Sequence, residues 1–256
     1  MASSIMSKKI AAGARGIVLD VKYGSGSFMP DRESARELAA CMAEIGRGAG
    51  RRVTALLSDT NQPLGRAVGN ALEVREAIET LRGEGPRDLR DHCLLVAQEM
   101  LRLAFDADDA ALAGIRQRLE EALDGGLGLE KLRTLVDVQG GDVRQVDDPD
   151  TLPQASSREH TVAARTGYLT GIDALAVGRV CLELGAGRMR KEDRIDPAVG
   201  LLLHRQVGDR VDRGDRLCTV HASTDDAATE AAARLEAAFA WGDSSKRPDP
   251  PEVLRG

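Results

Sequence analysis

The chain has 256 residues, a formal net charge of −6 and only 2% aromatic residues. That length suits two modest domains or one large one, and the acidic, aromatic-poor balance excludes the basic, base-stacking surface of a nucleic-acid binder. No apolar run approaches the ~20 residues of a membrane-spanning helix, and the N-terminus lacks the apolar stretch of a signal peptide. We therefore expect a soluble, cytoplasmic protein with neither nucleic acid nor membrane as a partner.

The order of elements begins as α/β. Residues 3–12 read as a helix that stops between Gly13 and Gly16. "GIVLDVKYG" follows as a buried parallel strand. "DRESARELAACMAEIGRGAG" is an amphipathic helix with Asp31 as its N-cap and glycines at its stop. "RRVTALLSD" is a second buried strand, and "NQPLGRAVGNALEVREAIETLRGEG" begins as a loop and becomes a helix. Strand–helix–strand–helix order favours a parallel sheet.

Two longer amphipathic helices come next, "DLRDHCLLVAQEMLRLAF" and "DADDAALAGIRQRLEEALDGG", then a short one in "LEKLRTLVDVQGG". Residues 147–157, "DDPDTLPQASS", form the linker. Beyond it short strands take over: "EHTVAAR", "GYLTGI", "GRVCLEL", "LLLHRQV" and "DRLCTVHA". "VGDRVDRGDRL" carries paired Gly-Asp turn signals. A helix, "DDAATEAAARLEAAFAW", and a Pro-rich tail close the sequence. The expected fold is α/β: a partial parallel-sheet α/β domain followed by a small α+β barrel-sandwich C-terminal domain.

Chemistry-bearing residues are sparse. Cys41, Cys93, Cys181 and Cys218 show no Cys-x-x-Cys spacing and read as small buried hydrophobes. His92, His160, His204 and His221 have no metal-type spacing. Asp20, Lys22 and the Gly-Ser-Gly-Ser loop after them stand at the carboxyl end of a strand, where α/β sheets bind ligands. A structural turn and a ligand-facing loop both fit that stretch. Ser4 and Lys8 are four apart and share a helix face, which suits a solvated surface or a ligand's carbonyl and ring nitrogen. "PLGRAVGN" could offer backbone carbonyls to a hard cation, with Glu76 one helix further in.

Taken together, "SIMSKKIAAG", "VLDVKYGSGSFMP", "TALLSDTNQPLGRAVGNALEVREAIETLRGEGP" and "LGAGRMRKEDRIDPAVGLLLHRQVGDRVDRGDRL" are far more specific. They resemble pyrimidine-nucleoside phosphorylases and the closely related thymidine phosphorylases, over residues 3–223. The resemblance implies a pentosyltransferase of pyrimidine salvage. It would convert uridine or thymidine and phosphate into free base and (deoxy)ribose 1-phosphate, in a homodimer with its cleft between a helical and an α/β domain. It implies that Ser4 and Lys8 hydrogen-bond the pyrimidine. It also implies that potassium, with no organic cofactor, is held by the carbonyls of Leu64 and Ala67 and by Glu76.

On this reading residues 1–12 are a remnant of the helical domain, 13–146 the partial α/β domain and 158–256 the C-terminal domain. The family's Lys-His-Ser phosphate loop and its Gly-Gly-Thr signature have no counterpart here, so no catalytic residue is assigned. The expectation is an N-terminally truncated form with an open sheet edge, poorly soluble or dependent on a partner chain. The alternative is a non-catalytic fragment or partner subunit with a structural role. Likeness to anthranilate phosphoribosyltransferases is weaker, because "SGSFMP" and the β-rich C-terminal part match the phosphorylases better. The turn in "VGDRVDRGDRL" resembles that of biotinyl and lipoyl carriers, but no lysine stands in a carrier setting.

Overall fold

The computed structural model describes residues 1–245 and 247–255. Helix α1 (Ala2–Ala11) leads into strand β1 (Gly16–Tyr23), helix α2 (Arg32–Gly48) and strand β2 (Arg52–Asp59). β1 and β2 pair in parallel, Gly16 opposite Arg52 through Tyr23 opposite Asp59. Strand alternation then sorts the side chains. Ile17, Leu19, Val21, Val53, Ala55 and Leu57 form one core cluster with Ala35, Ala39 and Met42 of α2 and Met6 of α1. Gly46 keeps α2 close to the sheet, since a Cβ there would lie 2.5 Å from Val53. The N-cap of α2 is Asp31, whose carboxylate accepts the Ser34 N–H at 2.8 Å.

The other sheet face meets α4 (Arg87–Phe105), which follows the two-residue strand β3 (Ala67–Val68) and α3 (Asn70–Leu81). At that contact Glu99, fully buried, accepts from Arg102 at 2.8 Å and from Arg255 at 2.6 Å. Arg102 also donates to the Thr54 hydroxyl at 2.6 Å. Helices α5 (Leu112–Asp124), α6 (Leu127–Val138) and α7 (Arg144–Asp147) complete this part. The linker packs: Leu152 joins Ala71 and Ile78 of α3 in a small apolar cluster.

After it come β4 (Ser157–Val162), β5 (Gly167–Ile172), α8 (Ala174–Cys181), β6 (Gly200–Leu203), β7 (Arg210–Val211), β8 (Arg216–Ala222), α9 (Asp225–Leu235) and β9 (Phe239–Gly242). They build two small sheets, ordered β3-β6-β8-β4 and β7-β5-β9, with antiparallel neighbours throughout. One apolar core joins them, running from Leu169 and Ile172 through Leu201, Leu203 and Val220 to Phe239.

Three features differ from the sequence reading. "GRVCLEL" is not a strand. Asp173 caps α8 by accepting the Ala176 N–H at 3.0 Å, and Val177, Val180 and Cys181 share its buried face, so helical spacing overrides the β-branched composition. Cys41 and Cys93 are exposed, while Cys181 and Cys218 are buried. Finally, the segment assigned to the C-terminal part does not all remain there. Strand β10 (Glu252–Arg255) returns to pair antiparallel with β2, Arg255 opposite Thr54. The first sheet therefore has the order β1-β2-β10, and β1 keeps an edge with no strand neighbour among the described residues. No helix among them is long and apolar enough to cross a membrane.

Candidate functional site

At the carboxyl ends of β1 and β2 the even-numbered residues converge on α4. Asp20 Oδ2 lies 2.6 Å from His92 Nε2 and 2.7 Å from Lys22 Nζ, and the Ser58 hydroxyl donates to Asp20 Oδ1. The shorter contact makes Nε2 a donor to the carboxylate, so Lys22, 3.2 Å from the same nitrogen, acts through its ion pair with Asp20. Burial pushes the Asp20 carboxyl up, but the hydrogen bonds from His92, Lys22 and Ser58 outweigh it and hold the group at about 2. Asp20 is thus a fixed anion at neutral pH and a poor proton acceptor. It braces Lys22 against a cleft of about 610 Å³ that is also lined by Leu64, Asp88, His92 and Arg116.

The loop between β2 and β3 closes this cleft and is fastened from both sides. The Gly65 N–H donates to Asp88 at 3.0 Å, and Asp88 also accepts the Gln206 side-chain amide at 2.8 Å. Gln62 accepts the Val207 N–H at 2.8 Å. From α3, Glu76 turns back into the loop, where its Oε1 accepts the N–H groups of Arg66 at 2.8 Å and Ala67 at 3.0 Å. Gly65 has φ +73°, and a Cβ there would come within 2.3 Å of Glu76 Oε2, so only glycine leaves room for the carboxylate. Burial pushes the Glu76 carboxyl above its usual range. The Arg66 and Ala67 amides oppose that shift, and the charges of Asp88 and Glu79 add to it.

A desolvated carboxylate near two others lacks a counter-charge. Glu76 is an oxygen donor of the kind a hard cation takes together with backbone carbonyls, which the 64–67 loop also carries. Among the described residues no three His, Cys, Asp or Glu side chains gather as metal ligands, so any such site depends on backbone oxygens.

Ser4 and Lys8 stand one turn apart on α1 and both are exposed, above the fully buried Met6. The Ser4 carbonyl accepts the Ser7 hydroxyl at 3.2 Å. Neither side chain lines the cleft that Lys22 and His92 share. That cleft brings Lys22 together with Leu64, whereas Ala67 and Glu76 face a second cleft on the other side of the loop. Sequence reasoning missed the partnership of His92 with Asp20. The one available signal was helical phase, since His92, Glu99 and Leu103 share the buried side of α4.

Family models match on both sides of the linker: "Glycosyl transferase family, a/b domain" over residues 2–129 and "Pyrimidine nucleoside phosphorylase C-terminal domain" over residues 168–241. The chain is 49% identical over 226 residues to a pyrimidine-nucleoside phosphorylase of Staphylococcus aureus strain bovine RF122 / ET3-1, an alignment covering 88% of this chain and 52% of the relative. The enzymes of that name in strains USA300 and NCTC 8325 / PS 47 match with the same identity and coverage. The chain thus spans about half the length of the curated relatives it matches. It belongs to the pyrimidine-nucleoside phosphorylase family.

Proposed function

We propose that the protein serves the phosphorolysis of pyrimidine nucleosides, converting uridine or thymidine and phosphate into free base and (deoxy)ribose 1-phosphate. The observation that carries this reading is the 49% identity to pyrimidine-nucleoside phosphorylases over 88% of the chain. A phosphate oxygen forms a bond to the anomeric carbon as the carbon–nitrogen bond breaks. The bonding pair leaves with the base as an anion. An ammonium at the base oxygen stabilises that charge more in the transition state than in the ground state. Lys8 is assigned that role, and Ser4 one turn away orients the ring by hydrogen bonding. Potassium would be held by Leu64, Ala67 and Glu76, where it supplies the positive charge that the buried carboxylate lacks. The working assembly is a homodimer in the cytoplasm.

A second reading is favoured by the 52% coverage of the relatives. In it the chain is a partner subunit that supplies structure and turns over nothing alone. The test is to incubate the purified chain with phosphate, potassium and either nucleoside, and to follow release of free base. The same assay is repeated after adding a polypeptide that carries the rest of the relatives' length. Release by the chain alone ends the partner-subunit reading. Release only with the added polypeptide supports it. In either mixture Lys8→Ala is expected to lower kcat/KM by roughly a hundredfold. Unchanged turnover in Lys8→Ala, or no release in both mixtures, sinks the assignment of the base site.

A further inference from the structure

A second cleft, of about 750 Å³, lies between α3 with the linker on one side and the outer face of the β3-β6-β8-β4 sheet on the other. Its sheet wall is chemically one-sided. Arg158, His160, His204, Arg216, Thr219 and His221 line it, and no acidic residue of that sheet does. The register explains the grouping: Arg158 is paired with His221 and His160 with Thr219, so these four side chains stand on one sheet face. The Thr219 hydroxyl is held between two imidazoles, 3.0 Å from His160 Nδ1 and 2.7 Å from His204 Nε2. The hydroxyl has one proton to give, so at least one of the two rings donates to it, and the pair of contacts fixes both ring orientations.

The opposite wall is mixed in charge, with Arg66 and Arg87 on it as well, and part of it is self-satisfied. Arg75 pairs with Asp150 at 2.8 Å and donates to the Pro149 carbonyl at 2.6 Å, and Glu76 accepts its two backbone amides. Glu79 and Glu84 stand on that wall as well.

The sheet wall, by contrast, has unspent donors. Among the described residues, Arg216 makes no side-chain hydrogen bond or ion pair, and Arg158 has only a long contact of 3.4 Å to Gln154. His221 is 9% exposed, and its ring has no hydrogen-bond partner among those residues. Burial pushes the His221 imidazole down to about 4, with the positive charge of Arg158 adding to the effect, so the ring is neutral at pH 7. Cations concentrated on one wall of a recessed, partly dry surface focus a positive potential.

We infer that this cleft is a binding site for the phosphate group of a small molecule, held by Arg158 and Arg216 with the His160 and His221 rings beside them. Two guanidiniums and a set of imidazoles offer more donors than one carboxylate can use, and a phosphate dianion can use them. The cleft's volume falls in the range of small-ligand pockets, so it has room for a phosphate ester as well as free orthophosphate. This site involves neither Ser4 nor Lys8, although Ala67 and Glu76, assigned above to potassium, stand on its opposite wall.

The test reads the four histidine ring resonances by NMR while orthophosphate, ribose 5-phosphate or acetate is titrated in at constant ionic strength. Both phosphates are expected to shift the His221 and His160 rings saturably in the millimolar range. His92, in the other cleft, should be unmoved, and acetate should be ineffective. A tighter constant for ribose 5-phosphate identifies an ester as the ligand, and equal constants identify free phosphate. Arg158→Ala and Arg216→Ala, both at exposed positions, are each expected to weaken binding about tenfold. Lys8→Ala should leave binding intact, which separates this site from the base site. Absence of saturable shifts, equal response to acetate, or unchanged binding in both arginine variants would overturn the proposal.

Discussion

The two β-rich regions solve the same packing problem with different security. In the C-terminal region two antiparallel sheets face each other over a shared core, from Leu169 and Ile172 to Leu201, Val220 and Phe239. Its strands pair across long stretches of sequence, β4 with β8 and β5 with β9, and the core they enclose is shared by both sheets. Among the described residues the parallel region has β1, β2 and the returning β10, and β1 has no further strand neighbour. It is thin and depends on α1, α2 and α4 to cover its faces. A region of that kind is held by its specific polar ties as much as by apolar area, and these ties are where it should break.

The largest expected effect lies in the sandwich itself. Phe239→Ala removes a buried aromatic from the shared core and is expected to cost about 4 kcal/mol, measured as the shift in urea midpoint. If the regions differ as described, hydrogen exchange will show β5, β8 and β9 opening while β1 and β2 stay protected. The converse experiment is Arg102→Ala. It leaves the buried Glu99 with Arg255 as its remaining partner and strips the hydroxyl of Thr54, at a cost of about 3 kcal/mol. Here exchange should rise in β2 and β10 first. Equal opening of both regions in the two variants would mean that they unfold as one unit.

Asp20 sharpens the comparison through pH. Its carboxyl sits at about 2 instead of 3.8, so its stabilising contribution is complete above pH 3.8 and is lost as pH falls through about 2. Asp20→Asn is expected to cost about 2 kcal/mol at neutral pH and to flatten the stability–pH curve between those two values. A curve that keeps the same acid limb in the variant would assign the transition to other carboxylates. The smallest effect is Asp31→Ala at the α2 cap, read as a slightly lower melting temperature with the fold intact.

Local signals made some of this legible beforehand. The second helix is announced by Asp31, by apolar residues at helical spacing and by glycines at its stop, and all three lie within one short segment. The parallel pair was readable because buried parallel strands are continuous apolar runs. "GRVCLEL" misled because valine and leucine suit a strand as well as a buried helix, and the cap at Asp173 lies outside the stretch. The Asp20–His92 contact joins positions 72 residues apart, and nothing local to either residue encodes it. The four residues of β10 follow a Pro-rich tail and carry too little pattern to reveal a partner near position 55. Glu76 as a buried anion was legible only through resemblance, since its own helix reads as an ordinary surface helix.

That last strand also sets a timetable. β2 is complete at Asp59, but the strand that covers its second edge runs from Glu252 to Arg255. On a ribosome that makes the chain from the N-terminus, the sandwich can close before β10 has emerged. The parallel sheet has to wait with one more open edge than it will finally have. Arg255, which ties Glu99 and Asp109, is made after every strand of the sandwich. The order of synthesis therefore runs against the order of the sheet: β1 and β2 are made before the sandwich strands and receive β10 after them.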